Sequence, residues 1–283
     1  MHRRARGAAI PAGTTGRFFT GFLSNPFAAD RWIHLKAEAI EHKQCIAAAL
    51  TIIGSLLGAQ MLLLSLPAVG AAANALSLVL LVGLTLRRDK LRSMFVAASV
   101  VPMAVFAALA LPQHSNAAQA AVLYGTLAAL ALAYRRMLPT AKSRKKKTKP
   151  NYLFAVPAML ATGAVLGTVS YAIVGDYQSL GAMSLPFAAG MLAGFAVIEE
   201  FYFRGVLQRY VRQDVGPTLS VAVAVAAFTA LTLPAGNIGL TAVAFITSTT
   251  LSVAYRLQTN LILTTVTNVT AKLTLLACIA LVA

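Results

Sequence analysis

The stretch AGMLAGFAVIEEFYFRGVLQRYVR, residues 189–212, decides how this chain folds. Ten apolar or small residues lead into two adjacent glutamates, Glu199 and Glu200. Arg204 follows, and Arg209 and Arg212 close the segment. A helix of about 20 apolar residues crosses the hydrocarbon core of a bilayer. At about 1.5 Å rise per residue, the glutamates lie about 15 Å inside the boundary marked by Tyr210. A charge at that depth costs at least ~2.5–3.5 kcal/mol on insertion scales, so both acids need partners or a water-filled cavity. Glu200 and Arg204 stand at i and i+4 with the acid first, the favourable order for a helical ion pair. Glu199 points about 100° away around the helix and must look elsewhere.

The rest of the chain agrees with a membrane reading. Of its 283 residues, 58% are hydrophobic and 11% charged, against roughly 45–50% and about 25% in an ordinary soluble domain. That balance excludes a soluble globular enzyme, a disordered chain and a disulfide scaffold. The prediction is an all-α fold, a polytopic membrane helix bundle of about nine transmembrane helices. The spans read at 45–66, 68–86, 93–111, 117–134, 152–175, 184–208, 217–234, 238–255 and 260–282. Eight or ten spans are compatible with the same hydropathy.

Charge sets the orientation. The net charge is +16, carried by 24 basic residues. Seven precede the first span, four lie at 87–92, eight at 135–149, three at 204–212, and Arg256 stands alone. All of these fall on alternate loops, and the opposite loops PAVG, LPQHSN, VGDYQSLGAM and LPAGN contain none. Basic residues mark the cytoplasmic side, which predicts a multi-pass protein of the plasma (inner) membrane with a cytoplasmic N-terminus and an external C-terminus. The run SRKKKTK at 143–149 is then a topogenic loop with some attraction for anionic headgroups. No aromatic platform is interleaved with it, so nucleic acid is not an expected partner.

Four segments follow. Residues 1–43 form a cytoplasmic or interfacial segment; lacking an apolar core of about 7–15 residues, it is not read as a signal peptide. Within it, 17–40 carries Phe18, Phe22 and Trp32 around a Ser24-Asn25-Pro26 break and predicts one or two short helices on the membrane face or against a partner. Residues 44–134 are a four-helix membrane scaffold without internal charge, 135–150 the basic loop, and 151–283 a second bundle that holds every intramembrane ionisable residue.

In that bundle the ninth span carries Thr264, Asn268 and Lys272 at i, i+4 and i+8, one polar stripe at a depth of about 12–18 Å that brackets the glutamates. The seventh span adds Phe228, Thr229 and Thr232, and the eighth Thr247, Ser248, Thr249 and Thr250. Membrane threonines often bond only to their own helix, so it is the charges that make these positions informative. The energetic expectation is that Lys272 pairs with Glu199 or Glu200 while Arg204 holds the other carboxylate. Cys45 and Cys278 lie in apolar stretches and read as buried small hydrophobes. All four histidines fall outside the spans, so neither metal nor cofactor is expected.

EEFYFRG at 199–205 matches an EExxxR signature on a membrane helix. With Phe228 at an FxxxH phenylalanine and 255–273 as a last motif helix, residues 150–283 resemble the CPBP family, the CAAX-protease and bacteriocin-processing (Abi-like) intramembrane endopeptidases. The resemblance implies a glutamate-activated water assisted by two histidines. It carries Glu199, Glu200 and Arg204 across unchanged. The FxxxH histidine position is Thr232, the HxxxN histidine position is Asn268, and its asparagine position is Lys272, so both histidines are missing. Threonine does not shuttle a proton near neutral pH, and asparagine donates hydrogen bonds without titrating. Lys272 also brings the cluster from a net −1 to zero.

Three functions stand side by side. The first is a catalytically degenerate relative acting as scaffold, chaperone or assembly subunit for another membrane protein. The second is an active glutamate-dependent endopeptidase with a peptide partner. The third is a proton-coupled transporter, because membrane acids also build proton relays.

Overall fold

The computed structural model describes residues 26–87, 91–109, 116–137, 152–174, 183–233 and 237–282. Among them nine helices form: α1 (Pro26–Ser65), α2 (Pro67–Arg87), α3 (Arg92–Leu109), α4 (Asn116–Met137), α5 (Tyr152–Val174), α6 (Leu185–Val215), α7 (Pro217–Thr232), α8 (Ile238–Gln258) and α9 (Leu261–Val282). No strand occurs among the described residues. Each helix overlaps one span read from hydropathy, but α1 starts at Pro26, well before the first span at 45, and is one continuous helix where short separate helices were expected. Seven are long and apolar enough to cross a bilayer; α4 and α7 are the exceptions. The 16 residues of α7 reach only about 24 Å, short of a ~30 Å hydrocarbon core. Most of α7 is buried inside the bundle, so it answers to protein neighbours rather than to lipid thickness. The helix α4 is the less apolar one, interrupted by Gln119, Tyr124, Tyr134 and the arginines of its last turn.

The chain divides into two compact units, Met1–Gln44 and Cys45–Ala283. In the first, helix begins at Pro26; Phe18, Phe22 and the side chain of Trp32, on which the interfacial expectation turned, lie outside the described residues. The second unit joins the stretches on both sides of the basic loop into one body.

Local chemistry fixes where these helices begin and end. Pro67 and Pro217 open α2 and α7 at first-turn positions, where the missing N–H is no loss. Gly216, at φ +92°, makes the sharp exit from α6 that a side chain would strain. Asn237 caps α8 by accepting from the backbone N–H of Gly239 at 2.8 Å and of Leu240 at 3.1 Å. The cap of α3 comes from far along the chain. Asp214 Oδ2, near the end of α6, accepts from Ser93 Oγ at 2.7 Å and from the Met94 N–H at 2.9 Å. A carboxylate there also faces the positive end of the α3 dipole.

The site is positioned by α6, which runs through the centre of the second unit and touches α3, α4, α7, α8 and α9. Exposed leucines, valines and phenylalanines such as Leu76, Val79, Leu153, Phe154 and Leu281 cover the outside. Such an apolar exterior suits lipid and would be a liability in water. Between α5 and α9 the surfaces are small instead. Gly163 and Gly167 let the two backbones meet, and a Cβ on Gly163 would stand 2.6 Å from the Thr267 carbonyl oxygen. This is the small-xxx-small packing by which membrane helices associate closely.

Candidate functional site

Halfway along, α6 widens. After Glu200 the backbone from Phe201 to Gln208 follows a π-helix, with i to i+5 bonds, a feature often found beside functional residues. Spacing rules for a regular helix give no hint of it. Arg204 and Gln208 leave this segment toward α8 and are both buried. Arg204 Nη2 donates to the Ser248 carbonyl oxygen at 3.1 Å and to Ser248 Oγ at 3.2 Å, and Gln208 Nε2 donates to the Ser252 carbonyl oxygen at 2.9 Å. The other guanidinium edge meets Glu200: Nη1 lies 3.1 Å from Oε1, and both side chains are wholly buried. Phe228 of α7 lies under the guanidinium, 5.4 Å from Cζ to the ring centroid. That distance is within cation–π range.

Glu199 faces the opposite way and finds three donors. Lys272 Nζ of α9 donates to Oε1 at 2.8 Å. Tyr124 OH of α4 donates to the same oxygen at 2.6 Å. Asn268 Nδ2 donates to Oε2 at 3.0 Å and also to Glu200 Oε1 at 3.1 Å. The asparagine thus stands between the two carboxylates with one N–H for each, the geometry an amide NH₂ supplies and a lone imidazole N–H cannot. Its position relieves the repulsion of two neighbouring acids without adding a proton that could be exchanged. Two carboxylates, one guanidinium and one ammonium sum to zero charge.

Both expected ion pairs therefore form, Lys272 with Glu199 and Arg204 with Glu200. Thr232 makes no hydrogen bond to either carboxylate among the described residues; its hydroxyl donates to the Thr229 carbonyl oxygen at 2.9 Å. Thr264 is buried and donates to the Leu261 carbonyl oxygen at 3.0 Å. Sequence reasoning did not find Tyr124. It sits in a segment without charge, and its only signal is a tyrosine in an alanine-rich helix. Its ring stacks on Phe195, one turn before Glu199, with centroids 4.0 Å apart. The first half of the chain thereby supplies part of the site.

Beside the cluster opens a cavity of about 340 Å³. Tyr124, Ser170, Glu199, Thr232, Thr247, Asn268 and Lys272 supply its polar lining, and Val174, Leu192, Leu240, Val243 and Leu275 much of its apolar lining. The site groups that reach the cavity, a carboxylate, an ammonium, a phenol and an amide, could in principle polarise a carbonyl or hold a water. No group of three or more histidine, cysteine, aspartate or glutamate side chains suited to a metal ion occurs among the described residues.

One family model matches, described as type II CAAX prenyl endopeptidase Rce1-like, over residues 181–273. The matched stretch contains every charged member of the cluster and leaves out Tyr124. The stretch that carries the charged cluster is thus similar to this family, in line with the resemblance carried by EEFYFRG. No curated protein and no solved structure matches the chain.

Proposed function

We propose that this protein is a catalytically silent relative of these membrane endopeptidases, acting as a scaffold or assembly subunit for another membrane protein. One observation carries the reading: the Glu199 carboxylate already accepts from Lys272, Tyr124 and Asn268. A carboxylate offers about four lone-pair positions, and a general base needs one free and basic. Three donors, one of them a cation, take up three of those positions and compete with any water the carboxylate would have to activate. The two positions where the family resemblance implies histidine hold Thr232 and Asn268, neither of which carries a proton from water to a leaving amine.

A stoichiometric membrane-protein partner is expected to co-purify in mild detergent and to be identified by mass spectrometry. Glu199→Gln unpairs Lys272 and should lower thermal stability, but the protein that folds should keep that association. The cavity beside Glu199 favours a second reading, an active endopeptidase in which Asn268 and Lys272 hold the oxyanion. Peptide cleavage that disappears in Glu199→Gln at normal abundance would establish it and overturn the first. Substrate-coupled proton flux would instead mark a transporter. The placement that goes with all three is the inner membrane, with the basic loops in the cytoplasm, as the charge asymmetry supports.

A further inference from the structure

The cavity holds hydrogen-bond donors that the assembly reading leaves unused. An ammonium offers three N–H donors; Lys272 spends one on Glu199, and the other two meet no partner among the described residues. Its side chain is 21% exposed and lines the cavity. The Thr247 hydroxyl, which also lines the cavity, makes no hydrogen bond among the described residues. Much of the remaining lining is apolar, supplied by Val174, Leu192, Leu240, Val243 and Leu275. The volume of about 340 Å³ falls in the usual range for small-molecule sites, and so does the pattern of apolar walls with a few convergent polar groups.

Charge narrows the occupant. The cluster already sums to zero, so an anionic head would leave one uncompensated negative charge in a low-dielectric site. A cationic head would face Lys272 directly. A carbonyl oxygen accepts the spare N–H groups and brings no charge. We infer that the cavity binds a neutral acyl amphiphile, its ester carbonyl on Lys272 and Thr247 and its hydrocarbon chain along the walls of α5, α6, α8 and α9. This goes beyond the assembly reading, and its failure would leave that reading untouched.

The test uses the full chain in alkyl-glycoside micelles and a diazirine-bearing palmitic acid methyl ester, with the ionised free acid in parallel. After irradiation, adducts of the ester should map to peptides of α5, α6, α8 or α9 and disappear with excess methyl palmitate. The free acid should label about tenfold less, reflecting the penalty for a buried unpaired charge. Leu240→Trp and, as a second filling variant, Val243→Phe should each cut ester labelling about tenfold while the protein stays monodisperse. If neither variant folds, competition on the unaltered chain decides. Labelling that methyl palmitate does not displace overturns the inference. So does labelling by the free acid at least equal to that by the ester, or labelling that survives both filling substitutions.

Discussion

Lys272 is the residue on which the site turns. Its ammonium lies 2.8 Å from Glu199, and removing one member of a buried pair leaves the other charge unpaired, at about 3–5 kcal/mol in soluble analogues. Lys272→Ala is expected to lower the thermal stability of the detergent-solubilised protein strongly. Glu199→Gln in the same chain should recover part of the loss, because the neutral amide no longer needs a cation. A double variant as unstable as the single one would show that Lys272 stabilises through something other than this pair. Tyr124 predicts a smaller effect. Tyr124→Phe keeps the stack on Phe195 and loses a hydrogen bond to a charged group, a change of about 1.5–3 kcal/mol in melting experiments. The glutamates, Arg204 and Lys272 were legible in the sequence because charge in an apolar helix is costly and conspicuous. Tyr124 was not, since a phenol in a membrane helix is cheap and ambiguous.

Among the elements, α5 and α9 show how little side chain a membrane interface needs. A Cβ on Gly167 would fall against the Ala271 carbonyl oxygen and stand 2.7 Å from Thr274 Cβ. Backbone is not free to retreat, so Gly167→Leu should part the two helices and carry Asn268 and Lys272 away from the glutamates. The expected readout is loss of the monodisperse peak in size-exclusion chromatography. Gly194→Ala is the control, because a Cβ there meets nothing within 4 Å; it should leave the peak unchanged. The helix boundaries were largely readable, since proline, glycine and asparagine punctuate them. The π-helix at Phe201–Gln208 was not, because its wider turn answers to the contacts of Arg204 and Gln208 with α8 and to no local propensity.

At the scale of the whole molecule, the two halves of the chain depend on one another. Tyr202 OH donates to the Ala97 carbonyl oxygen at 2.9 Å, Asp214 caps α3, and Tyr124 reaches Glu199. Residues 151–283 expressed alone should therefore aggregate in detergent, and co-expression with 1–150 should restore a soluble complex. A monodisperse 151–283 fragment would show the second half to be self-sufficient. The charge asymmetry makes a separate prediction: a reporter fused after Ala283 should read as external, and a cytoplasmic signal would mean an even number of crossings. By itself the sequence determined the helical membrane class, the nine helices among the described residues and which of them carry charge, because hydropathy, turn residues and the cost of buried charge all act along the chain. Only the tertiary structure decided that Asn268 bridges both carboxylates, that Tyr124 completes the cluster and that a cavity opens beside it. Those features arise where helices distant in sequence meet, and no spacing within one helix encodes which face its neighbours will present.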